Sequence, residues 1–195
     1  MNTTSELDAI NSILAAIGEA PINSLDADLP VAAAVAKNTL AEISREVQSR
    51  GWWFNTEYDA VLPRSGDTTI SLQPNTLAVE FDESTRFDFD PIQRGPKLYD
   101  RKSRSATFTK DLTASRLVLG LPFEELPEVA RRFITVRAAR ITHDRTIGEQ
   151  QMHTFTAIAE QQAYQALVRE SVRQDQPNML KSPFVSRIAR RIPWR

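Results

Sequence analysis

The chain contains no cysteine. That excludes disulfides, thiolate metal sites and cysteine nucleophiles, and it fits a reducing compartment. Only two histidines are present, His143 and His153, and no acidic residue stands at H-E-x-x-H spacing to them. They fall on different predicted helices and could meet across the helical hairpin, but the zinc-protease pattern is missing. The six glycines are scattered. No phosphate-binding loop, dinucleotide fingerprint or G-x-S-x-G elbow can be written from them. Carboxylate neighbours such as Glu124-Glu125 and Asp82-Glu83 occur, but adjacency does not supply the facing geometry of acid/base hydrolysis. No apolar run approaches the ~18 residues that would span a bilayer. The N-terminus, Met1 to Glu6, has neither the basic nor the apolar part of a secretory signal. No catalytic, cofactor or metal residue is therefore assigned, and no membrane partner is expected.

What is there is ordinary globular composition, 41% hydrophobic and 25% charged over 195 residues. This is enough for one sizeable core or two small ones. The net charge of −1 conceals an asymmetry. Residues 1–100 hold 7 Lys and Arg against 16 Asp and Glu, and residues 101–195 hold 17 against 9. Either the halves meet different partners, or they fold together and neutralise each other.

The chain pivots on Gly51-Trp52-Trp53-Phe54. Before it the apolar period is helical, and after it the period is close to 2. Gly51 can end the helix in a left-handed conformation. Read as extended, Trp52 and Phe54 point to one face and Trp53 to the other. These residues are assigned as a structural hinge and core between two layers, with an exposed aromatic contact patch as the other reading.

Ser5-x-x-Asp8 and Thr3-x-x-Glu6 offer N-caps for a helix near 5–17 carrying Leu7, Ile10, Ile13, Leu14 and Ile17. Asp26 or Asp28 is expected to cap a second helix over about 30–50, with Ala36, Leu40, Ile43 and Val47 as its buried stripe. Strands are expected at Trp52–Leu62, Thr68–Leu72 and Leu77–Phe81. Asp82–Asp90 reads as a solvated loop or edge strand. A hairpin of Lys97–Arg101 with Ala106–Thr109 follows, then a strand at Arg116–Leu121. A third helix spans 127–145, with Val129, Phe133 and Val136 on one face, Ala130, Ile134 and Ile141 widening it, and arginines spread around it. The fourth runs over 149–174 with Met152, Phe155, Ala159, Ala163 and Ala166 as a small-residue stripe. Residues 181–195 contain no acid but carry Lys181, Arg187, Arg190, Arg191 and Arg195 among Phe184, Ile188, Ile192 and Trp194. This composition suits a segment that orders on a partner.

The expected fold is α+β. A four-helix bundle is built from discontinuous segments 1–50 and 122–175, a β-rich insert occupies 51–121, and a basic amphipathic tail occupies 176–195.

Several motifs together resemble the tail tubular protein A family of short-tailed bacteriophages. They are Ile17-Gly18-Glu19-Ala20-Pro21-Ile22, Ser49-Arg50-Gly51-Trp52-Trp53-Phe54-Asn55-Thr56-Glu57, Leu98-Tyr99-Asp100-Arg101, Phe123-Glu124-Glu125-Leu126-Pro127-Glu128 and Arg137-Ala138-Ala139-Arg140. The resemblance covers about residues 5–170. It implies structural rather than enzymatic work: a homo-oligomeric ring of about twelve copies below the portal protein. The ring would dock the tail nozzle (tail tubular protein B), with fibres attached near that junction. Genomic DNA would pass through the ring without sequence-specific binding. It also implies a place in the virion tail after assembly in the host cytoplasm. The tail after 176 matches no motif of the family. From its composition, Phe184, Arg187, Ile188, Arg190, Arg191 and Trp194 are the expected portal contacts. Two alternatives stand beside this: a nucleic-acid-binding protein using the basic C-terminal half, and a tail-associated cell-wall hydrolase.

Overall fold

The computed structural model describes residues 3–26, 28–146 and 150–174. Helices α1 (Glu6–Ala16) and α2 (Val31–Gln48) open the chain. Strands β1 (Thr56–Leu62) and β2 (Thr76–Glu80), the short helix α3 (Glu83–Asp88), and strands β3 (Pro91–Arg94), β4 (Lys97–Asp100) and β5 (Leu112–Leu119) follow. A single 3₁₀ turn, Phe123–Glu125, leads into α4 (Glu128–Thr146) and α5 (Gln150–Gln174). The protein is α+β.

Helix α1 starts on a complete capping box: Asp8 N–H donates to Ser5 Oγ, and Ser5 N–H donates to the Asp8 carboxylate. These bonds satisfy donors that a helix start leaves free. Helix α2 begins differently from expectation. Pro30 occupies its N-cap and no side chain caps it, while Asp26 accepts a bond from Ser24 Oγ. Pro30 lacks an N–H, so its own nitrogen adds no unpaired donor at this start. The stripe Ala36, Leu40, Ile43 and Val47 is buried throughout. Each large member contributes about 1.5–3 kcal/mol of transfer free energy.

Helix α4 is the hub of the helical part, packing against α1, α2 and α5. Its fully buried apolar residues are Ala130, Phe133, Ile134 and Ala138, whereas Val129, Val136 and Ile141 are half-buried. On α5 the expected stripe fails in part. Ala163 and Leu167 are buried, but Ala159 and Ala166 face solvent. One narrow face suffices for a helix whose main neighbour is α4, and Ala163 and Leu167 lie buried on it. Met152 and Phe155 lie in a stretch whose side chains are outside the described residues.

The β part has its own apolar cluster, which includes Leu62, Ile70, Phe81, Leu98, Phe108, Leu112, Leu117 and Leu119. β5 is central, with β1 and β2 antiparallel on either side. β3 and β4 form a separate antiparallel hairpin. Three expectations fail here. β4 pairs with β3 rather than with Ala106–Thr109, because Gly95, at φ 61°, closes the tight turn Arg94-Gly95-Pro96-Lys97. Thr68–Leu72 makes only isolated bridges, from Thr69 to Thr107 and from Ser71 to Lys97. Asp82–Asp90 contains α3, whose C-terminal carbonyls at Arg86 and Phe87 accept from Lys102 Nζ. A cation at a helix C-terminus is favourable.

Part of the charge asymmetry is neutralised within the molecule. Acids of the first half pair with bases of the second: Glu42 with Arg145, Glu46 with Arg137, Glu80 with Arg116, Asp88 with Lys110, and Asp90 with Arg101.

Candidate functional site

The chain leaves the helical part at Ser49–Asn55 and re-enters it at Leu119–Phe123, side by side. Trp52 to Asn55 form a turn, not strand: Asn55 N–H donates to Trp52 O at 3.1 Å, and β1 begins only at Thr56. The two-faced reading of the aromatics therefore does not hold. Trp52, Trp53 and Phe54 are all half-buried and all pack against the helical core. Their rings run edge to face, with centroids 6.4 Å apart for Trp52–Trp53 and 5.0 Å for Trp53–Phe54. Trp52 meets Tyr164 of α5 at 6.4 Å, and Tyr164 meets Phe133 of α4 at 5.4 Å. Trp52 Nε1 donates to Val47 O at 2.8 Å. Gly51 takes φ 69°, and a Cβ there would lie 2.0 Å from Arg116 Nη2. That guanidinium donates to Arg50 O at 2.8 Å and Gly51 O at 3.3 Å while pairing with Glu80.

Two polar residues that periodicity does not single out hold this junction. Asn55 is buried and donates from Nδ2 to Gln48 O at 3.0 Å and Leu119 O at 2.7 Å. Its Oδ1 accepts from Trp52 N–H at 2.8 Å. Buried Gln48 accepts from Leu121 N–H at 2.7 Å and donates to Leu121 O at 3.1 Å. Their only sequence signal is position, directly beside the change of period.

Two clefts flank the junction. One, about 530 Å³, lies between α2 and the returning chain. Leu40, Ala41, Leu77, Leu121 and Phe123 give it an apolar lining, and Glu6, Glu124 and Arg45 add charge. The other, about 470 Å³, is bounded by Arg50, Phe133, Arg137, Arg140, Glu160 and Tyr164. Its arginines are already engaged. Arg137 bonds Glu160 at 2.7 Å and Glu46 at 2.8 Å, and Arg140 bonds Glu160 and Asp144. Arg131, counted with the basic residues from sequence, is buried instead. It donates to the carbonyls of Leu126, Thr4 and Glu124, tying the N-terminus to the 3₁₀ turn.

Asp100 anchors the β4–β5 connection. Burial pushes its carboxyl pKa up, but donation from the Ser103 hydroxyl and from the N–H groups of Asp90, Ser103 and Lys102 outweighs this and holds it down at about 2. Leu-Tyr-Asp-Arg is thus a loop-closing motif.

Among the described residues no group of three His, Asp or Glu side chains could hold a metal ion. His143 is buried, with Nδ1 3.9 Å from Asp144. The His153 side chain lies outside the described residues. No described helix is long and apolar enough to cross a membrane. The portal contacts expected from sequence, Phe184, Arg187, Ile188, Arg190, Arg191 and Trp194, also lie outside the described residues.

A two-core scaffold with ion pairs joining its first and second halves fits an assembled structural component. The chain belongs to the tail tubular protein family, whose model matches residues 7–177. It is similar to the tail tubular protein A of Klebsiella phage KP34, with 31% identity over 187 residues, covering 95% of this chain and 96% of that protein. It is a structural protein of the phage tail.

Proposed function

We propose that the chain is the adaptor that closes into a ring of about twelve copies between the portal and the tail nozzle, around the path of the genome. The observation that carries this is the outward face of α5. From Ala157 to Val168 its only charged residue is Glu160, and Glu160 turns inward to Arg137 and Arg140. Ile158, Ala159, Gln162, Gln165 and Ala166 face solvent without a charge among them. Surface helices ordinarily carry charge on that side, and loss of charge marks the centre of protein interfaces. The family and the relative's name supply the setting.

In this reading assembly takes place in the host cytoplasm, and the finished ring sits in the virion tail. Burial of apolar surface drives closure, and charge sets register. The bundle forms the ring and its portal side; the β-rich insert meets the nozzle, with fibres near that contact. The tail at 176–195 latches onto the portal through Phe184, Arg187, Ile188, Arg190, Arg191 and Trp194. DNA passes without sequence-specific contact. Three arginines of α4, at 137, 140 and 145, are held by carboxylates. That weighs against α4 as a phosphate-binding face.

The test is the mass of the purified protein alone and after mixing with portal rings. Recruitment of about twelve chains per portal ring is expected. A chain that ignores the portal overturns the adaptor reading. Removing residues 181–195 should leave the fold intact and weaken portal binding; unchanged affinity would sink the latch.

A further inference from the structure

Phe87 is the most solvent-exposed large hydrophobic side chain among the described residues, at 84%. Its backbone is nevertheless pinned. Lys102 Nζ binds the carbonyls of Arg86 and Phe87, Asp88 is paired with Lys110, and Phe89 N–H closes the helix turn onto Thr85 O. Two residues beyond Phe87, the Phe89 ring packs against Phe108, 5.6 Å between centroids. The result is an aromatic ring held out into water on a rigid pedestal. An isolated ring so placed costs solvation and contributes nothing to the fold. An anchor ordered in advance loses little entropy on binding.

The same chain carries a receptor of matching character, the cleft of about 530 Å³ floored by Leu40, Leu77, Leu121 and Phe123. Its charges are complementary to those around the knob. Glu6 and Glu124 adjoin each other in its lining, which also includes Arg45. Arg86 and Lys102 flank Phe87, while Asp82 and Glu83 lie at the far end of α3. Two different patches that fit each other produce a head-to-tail contact, which closes a ring when the rotation allows.

We propose that Phe87 of one copy seats in the α2–Leu121 cleft of the next, with Arg86 and Lys102 against Glu6 and Glu124. This deepens the ring reading and rests on it. Phe87 is the anchor, and the charges orient the approach.

The natural absence of cysteine makes the test clean. Ser84→Cys, one turn from the knob, and Ala41→Cys, in the cleft, are made as separate full-length variants and mixed under assembly conditions with a short bismaleimide. Cross-linked dimers joining the two variants are expected, with little product from either variant alone. Adding Phe87→Ser to the Ser84→Cys chain should cut the yield at least about ten-fold, a loss of about 1.4 kcal/mol or more. Its circular dichroism should not change, because the removed ring packs on nothing. Arg86→Glu should lower the yield, and Glu124→Arg in the other variant should restore it. Masses are measured in parallel. Rings that form without the cross-link, or cross-links indifferent to Phe87→Ser, overturn this contact and leave the ring reading standing. A chain that stays monomeric with and without portal rings overturns both.

Discussion

Asn55 and Leu119 exchange two hydrogen bonds across 64 residues of sequence. Asn55 Nδ2 donates to Leu119 O at 2.7 Å, and Leu119 N–H donates to Asn55 O at 2.9 Å. The outgoing and returning chains are thus locked at one level. Because Asn55 also serves Gln48 O and Trp52 N–H, one amide satisfies three backbone groups in a buried place.

Replacing Asn55 with Ala should therefore cost about 2–4 kcal/mol, since each buried group left without a partner costs roughly 1–3 kcal/mol. Urea unfolding followed by tryptophan fluorescence reads this directly, as Trp52 and Trp53 sit on the same turn. A loss under about 1 kcal/mol would show that water replaces the amide.

Gly51→Ala introduces two separate penalties, a left-handed conformation and a collision with Arg116. The conformational part is about 1–2 kcal/mol. The collision is with the end of a flexible side chain, so it can be relieved at the expense of the Arg116 bonds to Arg50 O and Gly51 O. A double-mutant cycle with Arg116→Ala separates the two. The Gly51→Ala penalty is expected to shrink to the conformational part when Arg116 is gone. Additive losses would mean that the guanidinium yields without cost.

Asp100 predicts the acid limb of stability. Its folded pKa of about 2 lies below the ordinary carboxylate value of 3.8. A depressed folded pKa contributes stability that is present above the unfolded value and lost as pH falls through the folded one. The window is thus from about pH 4 down to about pH 2, and the amount is about 2 kcal/mol. Asp100→Asn should remove that part of the pH dependence. It should also destabilise the β part at pH 7, because one amide end would confront N–H donors. An unchanged acid profile in the variant would move the effect to other carboxylates.

The helices were legible because their signal is repeated. Ala36, Leu40, Ile43 and Val47 announce one buried face four times over, and Ser5-x-x-Asp8 is a local cap whose partners are three residues apart. The strand partners were not legible. β3 and β4 are too short, four residues each, to show alternation, so the turn at Gly95-Pro96 was the stronger signal. Asn55, Gln48 and Arg131 escaped because each acts once, on carbonyl or amide groups brought near only by the fold. At the aromatic stretch, composition gave the place of the junction but not its geometry. A period of 2 cannot be read across a turn that a single asparagine closes. The knob at Phe87 sat in an acidic stretch that reads as solvated loop or edge strand. The pedestal is revealed by contacts brought together in the fold: the Lys102 bonds, the Asp88–Lys110 pair and the Phe89–Phe108 packing.

The paired crossing at Asn55 and Leu119 also decides how the protein carries load. A pull between the helical part and the β part passes through two neighbouring backbones at once. The bonds from Asn55 to Leu119 and from Gln48 to Leu121 lie between those backbones, and the bond from Asn55 to Gln48 ties the outgoing one to its own helix end. Shearing one backbone past the other would load the bonds between them together. In its connectivity the junction is a rivet rather than a zipper, two covalent crossings fastened to each other at Asn55–Leu119 and Gln48–Leu121.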